Sequence, residues 1–333
     1  DGPLLIIAGP GTGKTYTLVK RIVYLITEKN VLPEEILIAT FTEKAAKELI
    51  TRITNELYAI GVSVNLNEMY IGTFHSICLR ILKDHLEYTR IKKNYRMLDN
   101  FDQQYMVFQK INRFRNLPYF DVIFDKKQGA WRQAGEIVKY VNNLAEELVD
   151  IDEMQGDADE HIVAVANIMK QYNALMEDEN LIDFSSIQTE AYKLLIEEPS
   201  ILEEIQQKIK YVMVDEYQDT NYIQELLVFL IAGKNRNICV VGDDDQGLYR
   251  FRGATIRNIL EFPGHFADGE CKQVKLVTNY RSERQIIDFY NKWMSTTDGR
   301  AYDFMWKNFR FEKKIVPPEG KKAAKVGIIK CSG

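Results

Sequence analysis

Cysteine, histidine and long apolar runs are all scarce in this chain. Its four cysteines are far apart and form no CxxC pair, and its four histidines have no metal-ligand spacing. We therefore expect neither a disulfide framework nor a zinc site, and reduced thiols favour a cytoplasmic location. The longest apolar run extends from Leu226 to Ala232, whereas a membrane-spanning helix needs about 20 apolar residues. The sequence thus predicts no membrane segment and no membrane partner.

Charge is nearly balanced overall but unevenly distributed. The 333 residues carry a formal net charge of −5 and are 46% hydrophobic, which excludes wholesale disorder and favours about two folded domains. Residues 131–205 contain 4 basic and 18 acidic residues, whereas residues 274–333 contain 13 basic and 6 acidic ones. An acidic chain can bind nucleic acid when its basic residues share one face, although solvated helix surfaces explain each charge run equally well.

Alternating strand and helix patterns predict an α/β fold. Helical patterns over residues 15–26 and 43–60 follow the first two of six apolar runs typical of buried strands. The six runs are Leu4–Ala8, Ile36–Ala39, Met69–Ile71, Tyr211–Val214, Ile238–Val241 and Val274–Val277. This alternation is typical of a parallel sheet that helices cover on both faces.

The strand pattern fades between about residues 83 and 183, which predicts an inserted all-helical subdomain. The α/β core would then comprise residues 1–82 and 184–290, with a linker and the start of another domain over 291–333. Because a strand pattern begins within four residues of Asp1, we expect the chain to be a fragment of a longer protein.

Each predicted strand is followed by a polar or glycine-rich cluster. The clusters read GPGTGKT, TFTEKAAKE, GTFHS, DEYQDTN, GDDDQ and TNYRS. Ligands of open α/β sheets bind beyond the carboxyl ends of the strands. The six clusters therefore predict one functional edge.

The first cluster belongs to a phosphate-binding loop, AGPGTGKT over residues 8–15. It matches the pattern G-x-x-x-x-G-K-[ST] except at Ala8. Glycines let backbone amides turn around an anion, Lys14 brings positive charge to the β- and γ-phosphates, and the Thr15 hydroxyl can bind Mg²⁺. The helix that starts here adds its positive end. We therefore predict a nucleoside triphosphate site.

Two adjacent acids, Asp215 and Glu216, end the strand that begins at Tyr211. Asp215 would hold Mg²⁺, and Glu216 would orient and deprotonate the attacking water. The chain has no NKxD guanine motif. The missing motif argues against a GTPase, and Glu216 beside Asp215 favours hydrolysis over the phosphoryl transfer of a small-molecule kinase.

Taken in order, the motifs resemble those of UvrD/Rep/PcrA-type superfamily I DNA helicases. They read AGPGTGKT (8–15), TFTEKAAKEL (40–49), GTFHSICLRIL (72–82), DFSSI (183–187), VDEYQDTN (214–221), VGDDDQGLYRFRGA (241–254) and NYRS (279–282). The resemblance implies a RecA-like P-loop NTPase core that uses ATP and Mg²⁺.

The resemblance also implies roles for individual residues. Gln246 and Arg281 would contact the γ-phosphate, with Lys14, Asp215 and Glu216 completing the catalytic set. The implied nucleotide-binding residues are Ala8, Gly9, Pro10, Gly11, Thr12, Gly13, Lys14, Thr15, Tyr16, Tyr280, whose ring would stack on adenine, and Arg281. The implied metal ligands are Thr15 and Asp215. The implied DNA contacts are Phe41, Thr42, Thr73, Phe74, His75, Tyr249, Phe251 and Arg252, a set that suits base stacking and phosphate binding.

The implied function is the N-terminal half of an ATP-dependent DNA helicase with 3′-to-5′ polarity that couples ATP hydrolysis to unwinding. Single-stranded DNA and single/double-strand junctions would be its partners, together with repair or replication proteins. Two alternatives stay open: the helicase subunit of a RecB/AddA-like recombination nuclease, and a non-catalytic DNA-binding module with a vestigial nucleotide site. Without a second RecA-like domain, we expect the chain alone to bind ATP weakly, hydrolyse it poorly and not unwind DNA.

One departure from the family pattern concerns the predicted DNA track. Glu43 stands where asparagine is common among the relatives. Its carboxylate would place a negative charge near a presumed phosphate path.

Overall fold

The computed structural model describes residues 2–125, 127–247, 255–295 and 310–319. In chain order the described elements are β1 (Leu4–Ala8), α1 (Lys14–Glu28), β2 (Ile36–Thr40), α2 (Glu43–Ala59), β3 (Tyr70–Thr73), α3 (Phe74–Asp84), β4 (Arg96–Leu98), α4 (Asn100–Gln109), α5 (Ile111–Arg115), α6 (Phe120–Ile123), α7 (Ala130–Glu146), α8 (Ile151–Gln155), α9 (Glu160–Asp178), β5 (Leu181–Asp183), α10 (Phe184–Glu197), α11 (Pro199–Lys208), β6 (Tyr211–Val214), α12 (Tyr222–Ala232), β7 (Ile238–Gly242), α13 (Ile256–Glu261), β8 (Lys272–Leu276) and α14 (Arg284–Ser295).

Backbone contacts divide the chain into two compact units. Unit 1 comprises Asp1–Thr73, Gln206–Thr220 and Val228–Gly333, and unit 2 comprises Phe74–Ile205 and Asn221–Leu227. The predicted limits of a functional insertion, residues 83–183, stay a prediction.

Unit 1 is built on a six-stranded sheet in the order β3-β2-β6-β7-β1-β8. Every neighbouring pair is parallel, which confirms the predicted α/β fold and all six strands. The sixth strand differs from its prediction as a buried strand, because β8 is at the edge of the sheet and most of its side chains are exposed. Two lysines, Lys272 and Lys275, suit such an edge.

Helices α1 and α2 pack against this sheet through one apolar stripe each. In α2 the buried positions are Ala46, Leu49, Ile53 and Leu57. They have helical spacing, and the last three join the sheet core. The Thr42 hydroxyl caps α2 by accepting a hydrogen bond from the Ala45 amide at 3.1 Å. The capping residue lies two residues after the end of β2, and the helix begins at the next residue.

Unit 2 is helical apart from β4 and β5, which form a short parallel pair. The prediction of an all-helical insertion did not include this pair, because three-residue strands are too short to show a periodic pattern. Asp183 explains the DFSSI motif locally: its carboxylate accepts a hydrogen bond from the Ser186 amide at 2.7 Å and caps α10. The same side chain accepts a hydrogen bond from the buried Tyr172 hydroxyl.

None of the helices in the described part of the chain is long and apolar enough to cross a membrane. The cytoplasmic location stays a prediction.

In unit 1 the carboxyl ends of the parallel strands lie along one edge, as the polar clusters predicted. There β1 lies between β7 and β8, and β6 lies between β2 and β7.

Candidate active site

The phosphate loop leaves β1 and turns its carbonyl oxygens toward protein donors. The Pro10 oxygen accepts a hydrogen bond from Asn279 Nδ2 at 2.7 Å, and the Gly11 oxygen accepts one from the Tyr280 amide at 2.9 Å. The Gly9 oxygen accepts a hydrogen bond from the Thr12 hydroxyl at 2.7 Å. The Gly9 and Thr12 amides donate hydrogen bonds to the Leu276 and Gly9 oxygens at 3.2 and 3.3 Å. The other amides of the loop are the ones that can surround an anion.

Two glycines are required by the shape of this loop. Gly11 has φ +70° and Gly13 has φ +91°, in the region that side chains rarely adopt. A Cβ at Gly11 would also lie 2.7 Å from Asn279 Oδ1 and 2.9 Å from Arg281 Cβ. The same Asn279 oxygen accepts hydrogen bonds from the Arg281 and Ser282 amides, both at 2.8 Å. The NYRS segment is thereby attached directly to the loop.

The predicted acids lie beside the predicted lysine. Lys14 Nζ is 3.3 Å from Glu216 Oε2, and Glu216 has φ +52°, a strained conformation for a residue with a side chain. Asp215 is buried, and its Oδ1 accepts a hydrogen bond from the Glu216 amide at 3.0 Å. Burial and the charge of Glu216 raise the pKa of Asp215 to about 6, against the opposing effect of Lys14.

A glutamine without an assigned role connects these acids to the loop after β7. Gln218 Nε2 donates hydrogen bonds to Glu216 Oε2 at 2.9 Å and to Asp219 Oδ2 at 3.3 Å. Its Oε1 accepts one from the Asp243 amide at 2.9 Å. The Asp243 carboxylate in turn accepts a hydrogen bond from the Gln246 side chain. The predicted catalytic base and the predicted γ-phosphate contact therefore belong to one hydrogen-bonded network.

Asp219 differs from the other acids of this network in the hydrogen bonding of its carboxylate. Its Oδ1 is buried and has no hydrogen-bond partner among the described residues. Burial and the charge of Glu216 raise the pKa of Asp219 to about 7, opposed by Lys14 and by the Gln218 hydrogen bond. A buried carboxyl of this kind favours a cation or a proton in its neighbourhood.

These elements enclose a cleft of about 350 Å³ in unit 1. It is lined by Pro10, Gly11, Thr12, Gly13, Lys14, Thr15, Tyr16, Arg52, Glu216, Gln246, Tyr280 and Arg281. Of the predicted nucleotide and catalytic residues, Ala8, Gly9 and Asp215 are not in this lining, and Ala8 is the fully buried end of β1. Tyr16 and Tyr280 are 57% and 67% exposed, so both present ring surface at the cleft.

The predicted DNA contacts of unit 1 lie at the ends of β2 and β3. The Thr73 hydroxyl donates a hydrogen bond to Glu43 Oε1 at 3.1 Å. Because Thr42 and Glu43 begin α2 and Thr73 ends β3, the loop after β2 and the end of β3 are neighbours at this edge. Phe41 is partly exposed.

Phe74 and His75 belong to unit 2 and differ from a simple DNA-contacting pair. Phe74 is buried, so its ring packs in the protein. The Gln188 side chain lies 2.7 Å from His75 Nε2, and Phe184 meets the imidazole edge-on. Burial lowers the pKa of His75, which favours a neutral ring without attraction for phosphate. Tyr249, Phe251 and Arg252 lie outside the described residues.

Comparison with known proteins identifies the family. A model of the UvrD/REP helicase N-terminal domain matches residues 1–267. The chain belongs to the UvrD/Rep helicase family. Two relatives, the proteins named ATP-dependent DNA helicase PcrA of Staphylococcus epidermidis and of Staphylococcus aureus, are each 36% identical to it over 307 residues. The match covers 92% of this chain and 40% of each relative, so the chain spans about 40% of their length.

The UvrD/Rep-type core of this chain is therefore RecA-like, as predicted. Sequence reasoning assigned no role to Gln218, Asp219, Asp243 or Asn279, although all four stand inside quoted motifs. Their position next to assigned residues was a usable signal, because neighbours in a tight turn share hydrogen bonds. Arg52 had no such signal, since a basic residue on the polar face of α2 is typical of any solvated helix.

Proposed function

We propose that the chain is the ATP-binding and single-stranded-DNA-binding part of an ATP-dependent DNA helicase that moves 3′ to 5′. The observation that supports it best is the cleft that Lys14, Glu216, Gln246, Tyr280 and Arg281 share. Those side chains come from four separate segments of the sequence. The polarity is carried over from the resemblance.

In this proposal the nucleotide lies along the cleft with its phosphates in the glycine loop. The loop amides and Lys14 bind the β- and γ-phosphates, Arg281 approaches the γ-phosphate, and Tyr280 stacks on the adenine. Glu216 accepts a proton from the attacking water. The 3.3 Å ion pair with Lys14 holds the Glu216 carboxylate at the cleft before a phosphate takes over the lysine.

Thr15 and Asp215 are the residues that would hold Mg²⁺. The donor set fits, because a hydroxyl and a carboxylate are hard oxygen ligands. When bound, Mg²⁺ neutralises phosphate charge.

Single-stranded DNA would lie across the ends of β2 and β3. Phe41 supplies a ring for base stacking, and the Thr42 hydroxyl, which accepts a hydrogen bond from the Ala45 amide, can donate its proton to a phosphate. The Thr73 hydroxyl would do so on leaving Glu43. Tyr249, Phe251 and Arg252 extend the proposed track on the strength of the motif alone. Phe74 is left out of it because its ring is buried.

Turnover of ATP by the full-length protein tests the proposal, with and without single-stranded DNA. Glu216→Gln should keep nucleotide affinity and lose at least about a hundredfold in kcat, the usual contribution of a general base. Lys14→Ala should lose nucleotide affinity as well. Lys29→Ala provides the matched control, since Lys29 is exposed beyond the other end of α1.

Equal turnover in the wild type and in both variants would overturn the catalytic assignment. It would favour the alternative of a DNA-binding module with a vestigial nucleotide site.

A further inference from the structure

Three consecutive carboxylates after β7 surround a buried lysine from the far end of the chain. Lys313 Nζ lies 2.8 Å from Asp243 Oδ1 and 3.0 Å from Asp245 Oδ2, and it also pairs with Asp244. The side chains of Lys313, Asp243 and Asp244 are fully buried. An ammonium group has three donors, so each of them has one carboxylate partner.

Arg310 and Tyr290 are further partners of the third acid in this cluster, Asp245. Arg310 binds Asp245 with two nitrogens, one of them at 2.7 Å, and the Tyr290 hydroxyl donates a hydrogen bond to Asp245 at 2.6 Å. Burial alone would raise the pKa of Asp245, but Arg310, Lys313 and Tyr290 together lower it. The three acids offer ligand atoms within 4.8 Å of one another, and the Lys313 ammonium already lies among them.

The segment that carries these cations, residues 310–316, is called the returning segment here. Its Ile315 is buried so close beneath the phosphate loop that a Cβ at Gly9 would collide with the Ile315 side chain. The Val316 amide donates a hydrogen bond to the Val277 oxygen at 2.9 Å, and the Asn279 amide donates one to the Val316 oxygen at 2.8 Å. The returning segment thus contacts the glycine loop, the NYRS segment and the loop after β7.

The link from Lys313 to the cleft passes through one side chain. Asp243 Oδ1 faces Lys313, while Asp243 Oδ2 accepts the hydrogen bond of the Gln246 side chain. The Gln246 backbone N–H also donates a hydrogen bond to the Asp243 backbone carbonyl oxygen at 3.0 Å. Asp243 Oδ1 also accepts a hydrogen bond from the Asp245 backbone amide at 3.1 Å. The Lys313 cation and this amide therefore orient Asp243 together, and Asp243 in turn positions the Gln246 side chain.

We propose that Lys313 is a positioning residue of the nucleotide site, which holds Asp243 so that Gln246 points to the γ-phosphate. This inference rests on the proposed function, since it deepens the role given there to Gln246. It makes the returning segment part of the machinery that distinguishes a nucleoside triphosphate from a diphosphate.

Binding of ADP and of a non-hydrolysable ATP analogue to the full-length protein tests the inference without requiring turnover. Lys313→Met should weaken the ATP analogue about tenfold and change ADP affinity less than twofold. The ratio of ATP-analogue affinity to ADP affinity should therefore fall. In the Gln246→Ala background, Lys313→Met should have no further effect on this ratio, because Lys313 acts through Gln246. Lys314→Met is the matched control: Lys314 is the exposed neighbour of Lys313, and its loss should change neither affinity.

A second variant separates positioning from folding. Lys313→Met/Asp244→Asn removes one charge of each sign and leaves Asp243, so it should recover thermal stability while the ATP-to-ADP affinity ratio stays low. Recovery of the ratio together with stability would overturn the inference, as would an unchanged ratio in both variants. A wild type that binds both nucleotides but hydrolyses no ATP would instead count against the proposed catalytic function, and the affinity ratio would still decide the role of Lys313.

Discussion

The two ends of the functional edge in unit 1 differ in their effect on stability: one contains strained and unpaired groups, and the other contains ordinary stabilising hydrogen bonds. At the nucleotide end, around β1, β6, β7 and β8, Glu216 has a positive φ and Asp219 has a buried oxygen without a partner among the described residues. At the other end, around β2 and β3, Thr42 caps a helix and the Thr40 hydroxyl bonds the Gly72 oxygen at 3.3 Å. The second set of contacts stabilises the fold as any helix cap or strand pair does.

The comparison shows which chemistry needs strain. Activating a water molecule requires charged groups held away from solvent at fixed positions, so burial and unfavourable backbone angles accompany it. Stacking of bases requires only accessible rings and hydroxyls, which a relaxed surface provides. Substitutions that remove strained groups at the nucleotide end should therefore raise stability and lower activity. Substitutions at the β2–β3 end should change DNA binding alone.

The largest expected effect concerns Asp219 and the pH dependence of stability. Its native pKa of about 7 exceeds the ordinary value of 3.8, so the native state binds the proton more tightly than the unfolded state. The unfolding free energy must then fall as pH rises from about 4 through 7. Asp219→Asn cannot ionise and should be more stable than the wild type at pH 8, on the order of 2–4 kcal/mol.

Urea unfolding at pH 5 and pH 8 measures this difference. The gap between Asp219→Asn and the wild type should widen toward pH 8, whereas the exposed control Asp268→Asn should follow the wild type. A variant that is less stable than the wild type at both pH values would contradict the idea that the nucleotide end is strained.

Features of this edge that depend on neighbouring residues could be predicted from the sequence. Features that depend on contacts between residues far apart in the chain could not. The strand Tyr211–Val214 was predicted to the residue, and the helix expected over 43–60 ends one residue earlier. Both depend on local periodicity. The cluster of acids after β7 was visible as GDDDQ, but its partner Lys313 is 68 or more residues further along, and no local pattern pairs them.

Sequence motifs predicted many of the residues that line the cleft. The hydrogen bonds and the burial of individual side chains became visible only in the folded structure. Lys14, Glu216, Gln246 and Arg281 were named from sequence, and they line one cleft. The functions of Gln218 and Asn279 depend on hydrogen bonds that close across separate loops. Burial of the predicted DNA contact Phe74 likewise follows from helix packing, which the apolar character of a ring does not reveal.

The second-largest expected effect concerns Gly11, where an added Cβ would contact the NYRS segment. Gly11→Ala introduces a Cβ 2.7 Å from Asn279 Oδ1 at φ +70°. Overpacking of this kind costs about 1–3 kcal/mol, so affinity for a fluorescent ATP analogue should fall about tenfold to hundredfold. Gly61→Ala is the matched control, because Gly61 has φ +74° with nothing within 4 Å of its Cβ. Equal affinity losses in the two variants would mean that general destabilisation of the fold, and not contact with the NYRS segment, lowers binding.

The smallest effect belongs to the relaxed end of the edge. Glu43 accepts the Thr73 hydrogen bond and brings a negative charge to the proposed phosphate path. Glu43→Gln keeps an acceptor for Thr73 and removes the charge, so affinity for single-stranded oligothymidine should rise about threefold, with a steeper salt dependence. Glu68→Gln makes the same charge change just before the opposite end of β3, where Glu68 is exposed, and should leave affinity unchanged. Neither variant should alter urea stability by more than about 0.5 kcal/mol. If Glu43→Gln weakens DNA binding, the β2–β3 end is not the strand path, and the contrast between the two ends would have to be drawn elsewhere.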